Sequence, residues 1–429
     1  MLREGRGCGF CPCMIIMRWS GDRKTPLLFR GSEKMKKVFY FGCVFYFFIG
    51  TIHVFFGSLT PYLLAVYDKG PGELSSLIFF QFIGFLSGVL LSPILVRKKG
   101  YGAVLTMGLL LMIVSLLLAL LVPGWTTLVL AGFFLGSGAG SLETTAGAYV
   151  ISMENSAKRI SIMEVFFGLG ALLFPLVILL TVTEQTWHYV FFIQVAALTI
   201  FLLLWVVFMR KLPSGQMKGP SHEVKKTSLL LDRNNRMIVV LMICFAFFYA
   251  GIETNFANFL PSIMLEKGGD DWSLFAVSIF WTAIVIGRTI IARKADQLHP
   301  LRFLKISAAL MILLLVAFAL TTQTTVQLLL IFFIGLCAAG MFPIALTASA
   351  LMIENAIDEA TSYFIAAASL GGACLSFLIG FSLEWAGAAS AVLVFAFIAV
   401  LLFAAAIQMN RSRKKEEILT QHATLKADR

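Results

Sequence analysis

Charge is scarce in this chain. Asp, Glu, Lys and Arg make up 13% of its 429 residues, while 59% are hydrophobic. Soluble domains carry about 25% charged and about 45–50% apolar residues. With a mean hydropathy of +0.89, the chain is excluded from the soluble globular class and reads as an all-α polytopic membrane protein. Histidine is scarce too: the five present are scattered, with no His-x-x-His pair and no nucleotide-binding glycine loop. The clustered nucleophile, base or metal ligands of a membrane-embedded enzyme are missing, so we expect no catalysis, no resident metal and no cofactor. A disulfide framework is also missing. Cys43, Cys244, Cys337 and Cys374 lie in apolar runs and read as small packing residues. Cys8, Cys11 and Cys13, in "CGFCPC", have a loosely metal-like spacing that no further His or Cys completes. Residues 1–34 lack periodicity and a signal-peptide pattern, and precede a plausible start at Met35. They are expected to be a disordered or mis-assigned extension and are left out of fold reasoning.

What is present is a series of apolar runs. Twelve are long enough to span a bilayer, given that about 20 helical residues cross its core. They lie near 38–66, 74–96, 102–122, 126–152, 160–181 and 187–209, then 237–265, 273–292, 303–321, 326–352, 361–383 and 386–408. The net charge of +11 sits in the short connections, where topology accounts for it without a nucleic-acid partner. One set of connections holds Lys36, Lys37, Arg97, Lys98, Lys99, Lys158, Arg159, Arg293, Lys294 and Arg411 to Lys415. The other holds Lys69 and Lys267 among acids such as Asp68, Glu73, Glu184, Asp270 and Asp271. The positive-inside rule places both termini and the segment 210–236 in the cytoplasm of a cell-membrane protein. That segment divides the spans into halves, 35–209 and 237–408, followed by a tail, 409–429. At an offset of 200, Phe45, Phe47, Phe48, Ile52, Phe56 and Pro61 meet Phe245, Phe247, Phe248, Ile252, Phe256 and Pro261. The same offset brings Ala139, Gly140, Ala148, Glu154 and Asn155 onto Ala339, Gly340, Ala348, Glu354 and Asn355. The prolines and Glu-Asn pairs point to internal duplication.

A few polar residues interrupt the spans, and hydrocarbon penalises each one that is not paired, neutralised or beside water. Glu143 lies in the fourth span, in "GSLETTAGAYV", flanked by Ala139, Gly140, Ala146 and Gly147. Small residues serve either close helix packing or open space; packing explains the glycines but not the glutamate, which is expected to face a cavity. Glu253 lies in the seventh span, and His53 is its counterpart across the repeat. Titratable groups at duplicated positions suggest a shared central cavity. Asn255, Asn258 and Ser262 follow Glu253 with Phe256 and Phe259 beside them. Amides and rings suit a neutral polyhydroxyl solute, since amides bond hydroxyls and rings cover C–H faces. For the asparagines, hydrogen bonding between helices is the equal alternative. His53, Asn255, Phe256, Asn258 and Phe259 are therefore candidate solute contacts.

Two six-helix halves joined by a basic loop resemble the major facilitator superfamily. The loop motif of that family is partly kept in "GVLLSPILVRKKG", with Gly88, the basic cluster and Gly100, and in "GRTIIARKADQLHPLR", with Gly287, Arg288 and Asp296. The resemblance implies that Arg97 and Arg288 gate the cytoplasmic side; otherwise both read as snorkelling residues. More narrowly, "GSLETTAGAYV" resembles the fourth helix of fucose permease-type sugar–proton symporters, where the glutamate is proton-linked. "MEVFFGLGALLFP" is similar to their fifth-helix signature, with Glu164 where histidine is usual, and "GIETNFANFLP" to their seventh, with Phe259 where tryptophan is common. Gly147-Ala148 stands in place of an Asn-Pro, and Gly57 in place of an acidic residue. The resemblance implies a monomeric secondary transporter that couples a sugar or similar small polar solute to protons through Glu143 and Glu253. Sodium is an alternative ion, because carboxylates, hydroxyls and amides also supply its oxygen ligands. An exporter of drugs or metabolites by proton antiport is the alternative function, as Phe-rich spans tolerate lipophilic cargo.

Overall fold

The computed structural model describes residues 33–151, 153, 156–183, 185–212, 217, 236–269, 272–294, 298–345 and 357–427. Outside the described residues lie Cys8, Cys11 and Cys13, nearly all of the 210–236 segment, the Glu-Asn pairs at 154–155 and 354–355, and Glu184, Asp270, Asp271 and Asp296. The elements are α1 (Glu33–His53), α2 (Phe55–Tyr67), α3 (Pro71–Lys99), α4 (Tyr101–Leu121), α5 (Trp125–Ile151) and α6 (Ser156–Thr181). They continue with α7 (Tyr189–Arg210), α8 (Arg236–Glu266), α9 (Ser273–Lys294), α10 (Pro300–Leu320), α11 (Thr324–Ala338) and α12 (Ile357–Ala427).

Among the described residues, eleven helical segments are long and apolar enough to cross a membrane. The last, Tyr363–Ser412, has 50 residues and is divided at Gly387, whose φ of 79° lies in the left-handed region that favours glycine. Counting its two parts separately gives twelve crossings. The carboxylate of Glu266 accepts from the Ala388 amide at 2.8 Å and so caps the helix that restarts there. Beyond Gln408 this helix runs on to Ala427, so the expected tail is helical in continuation of the last span. Cys43 is buried as expected of a packing residue, whereas Cys374 is exposed.

The halves depart from strict symmetry at their first spans. In the first half the helix breaks at Val54, between α1 and α2, while α8 runs unbroken through Thr254, the corresponding position. Prolines do not explain this, because Pro61 and Pro261 both sit inside helices. The break leaves carbonyls at the end of α1, and in a membrane each needs a partner from within the protein. Gln81 Nε2 donates to the Ile52 carbonyl at 2.7 Å and Asn258 Nδ2 to the His53 carbonyl at 3.2 Å. Burial orders the spans radially: 72% of the first span's apolar window is buried, against 33% of the sixth's, which faces lipid.

Within the first half, α3 and α5 pack with their backbones nearly in contact. A Cβ at Gly84 or Gly88 would strike the carbonyls of Phe133 or Ser137, and one at Gly136 or Gly140 those of Gln81 or Phe85. The small residues along Glu143's helix thus serve close packing, as small-residue motifs do between membrane helices. The two halves meet through α3 with α12, α6 with α9 and α2 with α8. Glu384 accepts from the Gly72 amide at 2.6 Å, Ser376 Oγ donates to the Ser75 carbonyl at 3.1 Å and Ser278 Oγ to the Leu172 carbonyl at 2.9 Å. All three contacts lie toward the end of the molecule remote from Lys37 and Ser412, and close it.

Candidate functional site

Polar side chains from both halves converge within the helices. Glu143 comes from α5 and Glu164 from α6; Tyr249 and Glu253 lie one turn apart on α8, and Arg288 lies on α9. Arg288 is the hub. Its Nη1 meets Glu164 Oε2 at 3.1 Å and its Nη2 meets Glu253 Oε1 at 3.2 Å. The planar guanidinium presents two donors in fixed directions, so it bridges a carboxylate in each half where an ammonium would favour one. The Tyr249 hydroxyl lies against both Glu253 and Arg288 and donates to the Ala338 carbonyl at 3.0 Å.

Exposure separates the three acids. The Glu253 side chain is 11% exposed and that of Arg288 16%, but that of Glu164 is 40% exposed. A carboxylate so open within the helices marks free space between the halves at its level. Glu143, partly exposed, faces the electrostatic influence of Glu164 and Arg288. Among the described residues its carboxylate has neither a hydrogen bond nor an ion pair, although its backbone carbonyl accepts from Tyr46 Oη at 3.4 Å. The cluster therefore holds three carboxylates and one guanidinium, a surplus of acid that a low-dielectric interior does not tolerate without protons, ions or water.

His53 closes the far side. Its ring packs edge-on against Phe82, Phe167 and Trp281, with centroids 5.1, 5.3 and 5.9 Å away. Nε2 stands 3.4 Å from Thr254 Oγ1. Both halves contribute to this aromatic cage, and the indole nitrogen of Trp281, buried within it, has no hydrogen-bond partner among the described residues.

The chain as a whole matches known proteins. The sequence model of the Major Facilitator Superfamily matches residues 39–351. The chain belongs to this superfamily. The transporter is 39% identical over 399 residues to the glucose/mannose transporter GlcP of Bacillus subtilis (strain 168), covering 91% of this chain and 99% of that protein. Its fold is shared with the E. coli fucose:proton symporter FucP, at TM-score 0.60 and 19% identity over 88% of this chain and 99% of that one. It is shared too with a D-xylose–proton symporter, at TM-score 0.69 and 16% identity over 88% and 96%. A bacterial homologue of the human lysosomal transporter Spinster, in an inward-facing conformation, gives TM-score 0.73 at 11% identity over 89% and 98%.

The transporter's geometry revises several expectations drawn from the sequence. Arg288 stands within a helix and not in the loop that its motif suggested. It lies six residues inside the end of α9, about 9 Å deep at 1.5 Å per residue, and bridges two acids. Arg97, in contrast, is exposed in the last turn of α3 beside Lys98 and Lys99. Asn255 and Asn258 do not face the open space; both are fully buried. Asn255 Nδ2 donates to the carbonyls of Gly251 and Gly372, at 2.9 and 3.0 Å, and Asn258 Nδ2 to those of His53 and Thr254. Phe256 is a core ring among Phe280, Phe318 and Phe395, and Phe259 is likewise wholly buried. Of the expected solute contacts, His53 and Asn258 lie at the junction of the halves, and Asn258 is spent there on the His53 carbonyl. Glu164 stood out in the sequence merely as a departure from a family pattern, yet the penalty that singled out Glu143 applies to it equally. Tyr249 and Trp281 left no signal in so aromatic a chain.

Proposed function

We propose that this transporter is a monomeric proton-coupled sugar symporter of the cell membrane, a carrier and not an enzyme. The observation that carries the coupling is the surplus of carboxylate between the halves, with Glu143 lacking a fixed partner. A group of this kind takes a proton when the surrounding space is dry and releases it when water enters, so alternating access itself carries the proton. Likeness to a glucose/mannose transporter over nearly its whole length supports a hexose as solute. The cage of His53, Phe82, Phe167 and Trp281, beside the charged cluster, supplies rings for C–H faces and polar groups for hydroxyls. By the distribution of basic residues, the closed end near Gly72 and Glu384 faces outward and both termini lie in the cytoplasm. The state described is thus closed to the outside, and the proton and sugar leave inward. The exporter alternative gains no observation at this site.

The test uses purified protein in liposomes with sodium absent. An inward proton gradient should concentrate glucose or mannose, and Glu143→Gln, which imitates the protonated acid, should abolish that accumulation while sugar still exchanges across the membrane. If Glu143→Gln still concentrates sugar, Glu143 is not the carrier. If a sodium gradient alone drives wild-type accumulation, the ion is sodium.

A further inference from the structure

The ion pair between Glu164 and Arg288 crosses from one half of the transporter to the other, and the established likenesses leave it without a role. On the reading that Glu143 carries the proton, we propose that Glu164 is a positioning residue of the coupling step: it holds Arg288 while Glu143 is protonated and yields it to Glu143 when the proton leaves.

Three observations lead there. Arg288 divides its guanidinium between two acids that are not equivalent. Glu253 is 11% exposed and has Tyr249 beside it, whereas Glu164 is 40% exposed. Of the two, only Glu164 has the open space in which water can solvate it after Arg288 departs, because a carboxylate abandoned in a closed site bears its full desolvation penalty. Glu143, meanwhile, has no fixed partner among the described residues and lies within the electrostatic reach of both members of the pair. Finally, Glu164 and Arg288 sit where α6 and α9 run along one another, the same contact that carries Ser278 to Leu172 nearer the closed end. A change of partner there is felt by both halves.

Among the described residues, the charged and titratable groups facing Glu164 include Glu143 on α5, Arg288 on α9, Glu253 on α8 and Tyr46 on α1. With Glu143 protonated, Arg288 and the two paired acids leave one net negative charge. When the O–H bond of Glu143 breaks, its proton passes to water as hydronium and the cluster gains a second negative charge. Arg288 Nη1 then leaves Glu164 Oε2 for the Glu143 carboxylate. No other bond changes. Glu164 and Glu143 compete for one cation, and that competition keeps Glu143 able to accept a proton again.

The experiment is the pH profile of proton-driven glucose uptake in liposomes, measured for wild type and Glu164→Gln with thermal unfolding of each in parallel. Without the Glu164 carboxylate, Arg288 is always available to Glu143, which then holds its negative charge more firmly. The pH of half-maximal uptake should move toward acid by about one unit, a tenfold change in proton concentration. In the Glu143→Gln background, where only exchange remains, the same substitution should leave the pH dependence of sugar exchange unchanged. Should Glu164→Gln fail to fold, Glu164→Asp carries the test, since its shortened acid weakens the hold on Arg288 and should shift the profile by less in the same direction. A folded variant whose profile overlays wild type, with or without a lower unfolding temperature, overturns the proposal. That result leaves Glu143 as carrier untouched; only accumulation by Glu143→Gln removes that.

Discussion

Asn258→Ala separates structural from solute-contacting roles on α8. The side chain is wholly buried, and its Nδ2 donates to the His53 carbonyl at 3.2 Å and the Thr254 carbonyl at 2.9 Å. Thr254 lies mid-helix and keeps its backbone partner, so that loss is minor. His53 ends α1, where the chain breaks at Val54 and the helix offers its carbonyl no regular continuation. Leaving a buried acceptor unsatisfied costs about 1–3 kcal/mol. Hydrogen bonds between membrane helices average about 0.6 kcal/mol, because helices separated within the bilayer find other partners. Asn258→Ala should therefore lower stability by about 1–2 kcal/mol, toward the upper part of that span because the acceptor is backbone. Asn258→Asp, closer in shape, should be worse still, because it replaces an N–H donor with an acceptor aimed at two carbonyls. Unfolding of the purified protein in detergent gives the stability, and titration with glucose gives the affinity. A variant with unchanged stability and a tenfold weaker affinity would refute the reasoning and return Asn258 to the binding site.

Two further outcomes follow from the contacts between the halves. Glu384→Ala removes the carboxylate that holds the Gly72 amide. Because Glu384 is exposed, the loss should be about 1 kcal/mol, shifting the population about fivefold toward opening at that end. Pulsed electron resonance between labels on Val66 and Trp385, both exposed, should record longer distances, and an unchanged distribution would show that Glu384 does not hold the halves together. Gly57→Ala places a Cβ 2.5 Å from the Asn258 Cα, forcing α2 and α8 apart at a cost of about 1–3 kcal/mol. Its unfolding temperature should fall and uptake with it; wild-type stability would mean the two helices approach less closely than described.

The twelve crossings, the two six-helix halves and the cost of placing Glu143 within a span were legible in the sequence because each follows from a local rule. Hydrocarbon selects for long apolar runs wherever they stand, and it penalises a carboxylate whatever lies beside it. The alternatives raised for Asn255 and Asn258 were also correctly posed, but the sequence could not choose between them. An amide in a span is equally consistent with a cavity and with a neighbouring helix. The choice depends on how α8 is rotated and on the break at Val54, which exists only in concert with Gln81 and Asn258 contributed from elsewhere. The partners of Arg288 were hidden for the same reason. Its motif resembled a loop, yet its position is decided by Glu164 and Glu253, the one 124 and the other 35 residues away. Periodicity and hydropathy report the medium a residue must tolerate, whereas partners distant in the chain are brought together only by the packing of one half against the other.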